Sequence, residues 1–389
     1  MPEQVRNEYQ KEMWEDSSEL TPLQRKMFIC NKLPIYRLPL LYPLEPAISY
    51  TALEAALFET IKEQAALQVK YVYEPTQRRF YQQYVPLQRE EFMVGREYTD
   101  EEPRLYIERK QAGIDLSKDY PWRLWFLERL DRRYLYIEFH HIAIDGLGIR
   151  CFEEALFNRL LNGINSSPAD KSPLTTYRKI NELQQSVNIP SVSSPELLRL
   201  PVLQTEPAPG VGRLTKPLDQ RSQAAVERTA KKLSVTKNAV YQGILEEVLS
   251  HSCTGQAYGT IGNWRLKLGN FDEVGCYVQI NPKLLRVESN LEERIRFIFT
   301  DNLKSLLNRE VVPAVHAEYP LMYSYEEDMF RHFQYIPADR LCKFELYFRV
   351  YCHDHETGFE VEYSRAKYTD EQMIEMTREF RLLIDSLVE

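Results

Sequence analysis

A change of composition near the middle of the chain constrains the fold most strongly. Residues 166–210 contain the Pro- and Ser-rich runs SSPADKSP, IPSVSSPE and EPAPG, which are typical of linkers and long surface crossings. Strand and helix signals lie on both sides of this stretch. The sequence therefore predicts a mixed α/β (α+β) chain with a flexible leader at 1–18, an N-terminal lobe at 19–165, a crossing at 166–210 and a C-terminal lobe at 211–389.

Local signals support two mixed lobes. Capping boxes predict helices that start at Thr21 and Thr51, and alternation predicts a β-hairpin from Trp122 to His141 around an Asp131-Arg132-Arg133 turn. In the second half, caps at Thr236 and Thr369 predict two further helices. Strands are expected at 68–73, 79–85 and 212–218, with a closing hairpin that turns at His353–Gly358.

Composition excludes several classes of function. The 389 residues are 43% hydrophobic, which is enough for large cores, and the net charge of −8 argues against a general nucleic-acid binder. The sequence has no apolar run of transmembrane length, its N-terminus is polar, and its six cysteines form no CxxC pair. We therefore expect a soluble cytoplasmic protein with neither a nucleic-acid nor a membrane partner.

The stretch HHIAIDG holds two of the chain's seven histidines, His140 and His141. Strand alternation places them on opposite faces, and His141 stands where the chain turns from a strand toward a helix. A neutral imidazole can serve as a general base near pH 7. Asp145 can help to hold the loop, and Gly146 permits tight backbone geometry or close approach of a substrate.

Two other interpretations of these histidines stay open at this stage. A histidine at a strand end is often a structural residue, and any histidine pair can be considered as a metal site. Because adjacent strand residues point apart, His140 and His141 are poorly placed to share one ion, so no metal is predicted. His353-Asp354-His355 is interpreted as a solvated hairpin turn.

Five elements in order resemble the condensation domains of nonribosomal peptide synthetases, within the chloramphenicol-acetyltransferase-like superfamily. LTPLQRKMF resembles the opening LTPxQxxM motif, and HHIAIDG matches HHxxxDG. SCTGQAYGTIGNWR resembles the segment that ends in the family's arginine, EVGCYVQINPKL resembles VGxFVNTxPxR, and residues 344–384 resemble the closing hairpin and helix. The resemblance implies two acetyltransferase-like lobes in a V, with an active-site tunnel between them.

The resemblance also implies acyl transfer from a phosphopantetheine thioester to an amine or hydroxyl, giving an amide or ester. His141 would be the general base or positioning group, His140 would be structural, and Gly146 matches the motif glycine. Asp145 would orient the loop through an ion pair with Arg265. No cofactor would be bound. The acyl donor would be attached to an acyl or peptidyl carrier protein. The acceptor would be attached to a second carrier or would be a free amine or alcohol.

Four departures from the family pattern accompany the resemblance. Gly148 stands where serine is frequent, Gln279 replaces the asparagine of FVNT, and Leu284 replaces the closing arginine. The YxDYxxW element is reduced to Thr176-Tyr177-Arg178. Without recognisable adenylation or carrier motifs, the sequence predicts a free-standing enzyme or an excised domain that acts in trans.

Two alternatives compete with a carrier-dependent enzyme. An acyl-CoA-dependent N- or O-acyltransferase would need a basic patch for the CoA phosphates, and Arg228, Lys231, Lys232 and Lys237 are candidates. The other alternative is a non-catalytic module that recruits a carrier protein. Retention of the HHxxxDG residues and of Arg265 favours an enzyme.

Overall fold

The computed structural model describes residues 17–110, 114–130, 132–163, 172–185, 196–203, 208–285, 290–307, 319–327, 329, 331–337, 340–353 and 356–388. The chain forms two compact units. Unit 1 comprises Met1–Ser186, Leu268–Val278 and Met329–Asp339, and unit 2 comprises Val187–Lys267, Gln279–Asp328 and Arg340–Glu389. Each unit combines helices with a β-sheet, as the sequence predicts.

Unit 1 has two sheets. One has the strand order β1-β4-β3, and the other has the order β12-β2-β7-β6-β5. All strand pairs are antiparallel except β5–β6. The strands are β1 (Ser17–Glu19), β2 (Arg37–Leu44), β3 (Val69–Glu74), β4 (Arg79–Tyr84), β5 (Gly95–Tyr98), β6 (Trp122–Arg129), β7 (Arg132–His140) and β12 (Gln334–Tyr335).

The helices of unit 1 pack on this framework around a core that includes Leu135, Ile137 and Phe139 of β7. They are α1 (Pro22–Ile29), α2 (Tyr50–Lys62), α3 (Pro103–Arg109), α4 (Gly146–Asn162) and α5 (Ser172–Gln185), with short 3-10 turns at Ala65–Leu67 and Arg89–Glu91.

Local chemistry explains how several of these elements begin and end. The Thr21 capping box is confirmed, because the Thr21 side chain accepts the Gln24 N–H and Gln24 Oε1 accepts the Thr21 N–H. The cap predicted at Thr51 is wrong: α2 begins two residues earlier, with Ser49 accepting the Ala52 N–H. Both residues have the right chemistry, and only the backbone path decides between them.

The predicted β6–β7 hairpin is confirmed, but its turn differs from the prediction. Arg132 and Arg133 lie in β7, and Arg129 pairs with Arg132, so the turn is only two residues long. Leu130 adopts a positive φ of 54° in this turn, and Asp131 lies outside the described residues. Polar composition alone placed the turn one or two residues too late.

The predicted boundaries differ from the observed division. Helix α5 occupies 172–185 of the predicted crossing and is assigned to unit 1. Strand β1 starts at Ser17, inside the predicted leader, while residues 1–16 lie outside the described part of the chain. The amphipathic pattern of α5 was obscured by the Pro- and Ser-rich runs that flank it.

A buried carboxylate fastens a late segment of the chain to unit 1. Glu153 of α4 is fully buried and accepts the backbone N–H groups of Arg331 (2.7 Å), His332 (2.5 Å) and Phe333 (2.7 Å). Three consecutive N–H groups around one anion form a nest, which offsets the desolvation of the carboxylate. The same segment then adds β12 to the sheet, beside β2.

Unit 2 has one six-stranded sheet with the order β10-β9-β11-β13-β14-β8. Strand β11 is parallel to both β9 and β13, whereas β13–β14 and β14–β8 are antiparallel. The elements are β8 (Val211–Leu218), α6 (Gln220–Leu233), α7 (Lys237–Ser252), β9 (Ala257–Asn263), α8 (Arg265–Leu268), β10 (Val278–Leu284), α9 (Leu291–Leu307), β11 (Leu321–Glu327), β13 (Leu346–His353), β14 (Glu356–Ser364) and α10 (Asp370–Ser386).

The predicted helix starts in unit 2 are confirmed, because Thr236 and Thr369 cap α7 and α10 through their side chains. The closing hairpin is also confirmed, although it turns more tightly than predicted. His353 pairs directly with Glu356, and Asp354 and His355 lie outside the described residues. None of the described helices is both long and apolar enough to cross a membrane.

A second buried carboxyl lies in unit 2. Glu246 of α7 accepts a hydrogen bond from the Tyr258 hydroxyl, which itself accepts one from Gln242 Nε2 (2.7 Å). Burial raises the pKa of Glu246 to about 7, although the Tyr258 hydrogen bond and the charges of Arg294 and Lys283 oppose the shift. Burial outweighs these contributions because the side chain is almost fully removed from water.

Replacing Glu153 by Gln should lower the free energy of unfolding by about 2–4 kcal/mol, because an amide N–H₂ would face backbone N–H donors. Urea denaturation measures this change. The control is Glu154→Gln on the same helix, where the exposed side chain pairs with Arg150 and, at 4.0 Å, with Arg331 of the same segment. Exposed ion pairs contribute little, so the expected change is within about 1 kcal/mol. Equal losses in both variants would contradict the anchoring role of Glu153.

The raised pKa of Glu246 makes stability depend on pH. The folded state holds the proton more tightly than the unfolded chain, so unfolding free energy falls as pH rises from about 4.5 to about 7. Glu246→Gln should remove this pH dependence. At pH 8 its free energy of unfolding should exceed that of the wild type by up to roughly 3 kcal/mol, whereas at pH 4.5 the two should differ little. Urea denaturation at both pH values tests this, and a difference that is independent of pH would refute it.

Candidate active site

The HHIAIDG loop joins β7 to α4 in unit 1. Strand β7 ends at His140, and Asp145 is the N-cap of α4, with its Oδ1 accepting the Gly148 N–H at 2.7 Å. A cap of this kind satisfies one of the unpaired N–H groups of the first helical turn. It also fixes the path of the loop between the strand and the helix.

The ring of His141 is oriented by the loop itself. Its Nδ1 lies 2.8 Å from the Ile144 carbonyl oxygen. Because a carbonyl can only accept a hydrogen bond, Nδ1 carries the hydrogen in the neutral ring and Nε2 holds the lone pair. The Cys276 sulfur lies 3.9 Å from the same Nδ1. His141 therefore presents a basic nitrogen in a fixed tautomer.

His140 lies in a different environment from its neighbour. It is almost completely buried, and its Nδ1 accepts the N–H of Ile142 at 3.1 Å. Two residues earlier on the same face of β7, Glu138 forms a buried ion pair with Arg37. These contacts suit a residue that shapes the loop.

The opening LTPxQ motif also supports this loop. Gln24 is buried, and its Nε2 donates to the Ile142 carbonyl oxygen at 3.0 Å. Since its Oε1 accepts from the Thr21 backbone, one side chain links the start of α1 to the turn after β7. Sequence reasoning identified Gln24 only as a helix cap.

An inserted segment from the second half of the chain, Leu268–Val278, completes the site in unit 1. The Asp145 N–H donates to the Gly275 carbonyl oxygen at 3.0 Å, and the Tyr277 N–H donates to Asp145 Oδ2 at 2.9 Å. The Cys276 N–H donates to the Tyr177 hydroxyl at 2.8 Å. Three consecutive residues of the inserted segment are thus hydrogen-bonded to the rest of unit 1.

Tyr177 is a site residue that sequence reasoning missed, because it lay in the predicted crossing and in a reduced motif. It is fully buried, and its ring centroid lies 5.1 Å from that of Tyr277. Next to it, the Thr176 hydroxyl donates to Glu273, which also accepts from the Tyr277 hydroxyl at 2.7 Å. The available signal was the tyrosine of that motif, which survives in Thr176-Tyr177-Arg178.

Two glycines at the start of α4 are closely packed, and Gly148 packs against rigid backbone. A Cβ on Gly148 would lie 2.8 Å from the Gly275 carbonyl oxygen and 3.1 Å from its nitrogen. A Cβ on Gly146 would lie 1.9 Å from the Cε of Met329. The glycine at 148, where the family often has serine, is therefore explained by the backbone that packs against it.

Arg265, the predicted partner of Asp145, lies in unit 2 at the start of α8. The residue is fully buried, and its N–H donates to Asn263 Oδ1 at 2.8 Å. Its ion pair with Asp145 stays a prediction. Among the described residues, no group of three or more His, Cys, Asp or Glu side chains is placed to hold a metal ion.

Residues 14–191 match the family model described as Condensation domain. The search of curated proteins gives no match.

Solved structures match almost the whole chain. The epimerization domain from the third module of tyrocidine synthetase B has a TM-score of 0.76 and 17% identity, with 96% of each chain covered. The X-domain from teicoplanin biosynthesis has a TM-score of 0.71 and 16% identity, covering 95% of this chain and 94% of that one. The starter condensation domain of rhizomide synthetase, in complex with C8-CoA, has a TM-score of 0.70 and 15% identity, covering 97% and 96%.

These findings confirm the predicted resemblance and fold class. The chain has the mixed α/β fold of condensation domains, built from two units. Because the sequence identities are below one fifth, the structural similarity establishes only the fold. The three solved domains are an epimerization domain, an X-domain and a starter condensation domain.

Replacing Gly148 by Ala should lower the free energy of unfolding by about 1–3 kcal/mol, because the new Cβ meets rigid backbone of the inserted segment. Gly146→Ala is the matched control in the same helical turn. Its Cβ meets the end of a flexible methionine side chain, so the loss should be smaller. Chemical denaturation of both variants decides this, and a Gly148→Ala protein as stable as the wild type would show that the inserted segment is not tightly packed.

Proposed function

We propose that this chain transfers an acyl group from a carrier-bound phosphopantetheine thioester to an amine or hydroxyl acceptor; the match of residues 14–191 to the family model described as Condensation domain supports this. The observation that carries the proposal is the fixed tautomer of His141, whose Nδ1 is engaged by the Ile144 carbonyl. The product is an amide or an ester of the kind made in nonribosomal peptide and related biosynthesis.

The proposed step balances without a covalent enzyme intermediate. The acceptor nitrogen or oxygen attacks the thioester carbonyl carbon, its proton passes to Nε2 of His141, and the C–S bond then breaks. The departing thiolate then takes the proton from His141 Nε2 and becomes a thiol. Proton removal contributes most for a hydroxyl acceptor, whereas an unprotonated amine is already nucleophilic and gains mainly from positioning.

The other motif residues have supporting roles in this proposal. Each oxygen of the Asp145 carboxylate accepts a backbone N–H, which suits a residue that orients the loop rather than one that accepts the substrate's proton. Gly146 leaves room for Met329, and His140 shapes the turn from within the core. An ion pair between Asp145 and Arg265 would add to the same rigidity.

An acyl-CoA donor is the second candidate, because the rhizomide starter domain of the same fold was crystallised with C8-CoA. The predicted basic patch gives this candidate little support. Lys232 pairs with Glu292 and Lys237 with Glu327, so two of its four cations already have carboxylate partners. Recruitment without catalysis is the third candidate, since an X-domain of this fold forms a complex with OxyB.

The test is an acyl-transfer assay read by mass spectrometry, with acyl thioesters offered both on carrier proteins and on CoA. His141→Ala should lower turnover from carriers by roughly 10²–10⁴-fold, which is the usual contribution of general base catalysis. The control is His251→Ala, an exposed histidine of unit 2 beside Glu247 and Glu379, and it should retain activity.

Each alternative has its own signature in this assay. Unchanged turnover in His141→Ala would refute the general-base role. Turnover from CoA thioesters alone would favour the acyl-CoA enzyme. Tight carrier binding without product from any donor would favour recruitment.

A further inference from the structure

A polar cavity of about 170 Å³ lies wholly within unit 2. Its walls come from the first turns of α7, from α8, from strands β9, β10 and β11, and from the C-terminal turns of α9. At about 30 Å³ for each water of liquid, this space corresponds to about six water molecules. It is large enough for a small ligand group.

The lining of the cavity is dominated by side-chain amides. Among the fifteen described residues that line it, six carry an amide and none carries a carboxylate. These six are Asn238, Gln242, Asn263, Gln279, Asn281 and Asn302. Gln242 and Gln279 are buried, and the other four are partly exposed. Because a side-chain amide can both donate and accept hydrogen bonds, this lining can bond to a polar ligand.

One wall of the cavity is held rigid by a chain of hydrogen bonds. Asn302 Nδ2 donates to Gln242 Oε1 at 3.1 Å, Gln242 Nε2 donates to the Tyr258 hydroxyl, and that hydroxyl donates to buried Glu246. On the same wall, Asn238 Oδ1 accepts the Tyr323 hydroxyl at 2.9 Å. The orientations of Gln242 and Asn238 are thereby fixed before any ligand arrives, which reduces the entropy lost on binding.

A glycine makes room for one of the amides. A Cβ on Gly262 would lie 2.1 Å from Nδ2 of Asn281, so only glycine at 262 allows the Asn281 amide to take its place in the lining.

Lys267 and Lys283 both line the cavity. Asp301, 2.5 Å from Lys283, balances the charge of that lysine. Lys267 lies 5.3 Å from the ring centroid of Trp264. Burial lowers the pKa of Lys267. An anion beside Lys267 would oppose that effect by stabilising the ammonium form.

We propose that this cavity is a binding site for a small anionic group, a carboxylate or a phosphate. The amides can donate N–H groups, Lys267 supplies a positive charge, and no described residue of the lining carries a carboxylate that would repel an anion. The proposal goes beyond acyl transfer at His141, because every lining residue belongs to unit 2 and none belongs to the HHIAIDG loop or the inserted segment.

Calorimetric titration of the full chain with inorganic phosphate, succinate and uncharged succinamide tests the proposal. At least one of the two anions should bind, and succinamide should bind much more weakly. Lys267→Gln should weaken anion binding by about tenfold or more, as expected for the loss of one nearby charge. The matched control is Lys232→Gln, an exposed lysine of the same unit, which should leave affinity unchanged.

A second variant separates binding from folding. Gly262→Ala crowds Asn281 without changing charge and should also weaken the anion, while thermal unfolding reports whether each variant is folded. A preference for phosphate over succinate, or the reverse, identifies which anion the cavity takes. The proposal is overturned if neither anion binds at about 10 mM, where millimolar affinity is readily detected, if succinamide binds as well as succinate, or if folded Lys267→Gln keeps wild-type affinity.

Discussion

The carboxylate of Asp145 is the contact on which the candidate site depends. One oxygen caps α4 through Gly148, and the other accepts the N–H of Tyr277, a residue 132 positions later in the chain. A buried carboxylate is stable only when its hydrogen-bonding capacity is met, so the loop and the inserted segment hold each other in place. The ring of His141 is held in place as a consequence, because the Ile144 carbonyl that binds its Nδ1 immediately precedes Asp145.

About two turns further along α4, a second carboxylate also accepts backbone N–H groups from a segment distant in sequence. Glu153 accepts three backbone N–H groups from residues 331–333, just as the cap residue Asp145 accepts one from Tyr277. Both segments of the second half that join unit 1 are thus fastened by carboxylates of α4 and its cap. Charge-assisted hydrogen bonds to backbone donors are strong and directional, which suits the joining of segments distant in sequence without dependence on their side chains.

Sequence alone predicts those parts of this fold that local chemistry determines. The caps at Thr21, Thr236 and Thr369 could be predicted because each satisfies N–H groups three residues away. The insertion of 268–278 and of 329–339 into unit 1 could not, since it rests on contacts across more than a hundred residues. The role of Tyr177 was also missed: the reduced motif keeps the tyrosine, but the hydrogen bond that its hydroxyl accepts from the Cys276 N–H joins residues 99 positions apart.

The geometry also separates this histidine and aspartate from a catalytic triad. In a triad, a carboxylate accepts Nδ1–H and stabilises the imidazolium that forms. Here a neutral carbonyl, that of Ile144, lies against Nδ1, and the Asp145 oxygens accept backbone N–H groups. A carbonyl fixes the tautomer but stabilises a full positive charge less than a carboxylate does. The geometry at His141 therefore favours a neutral imidazole in one tautomer over a long-lived imidazolium.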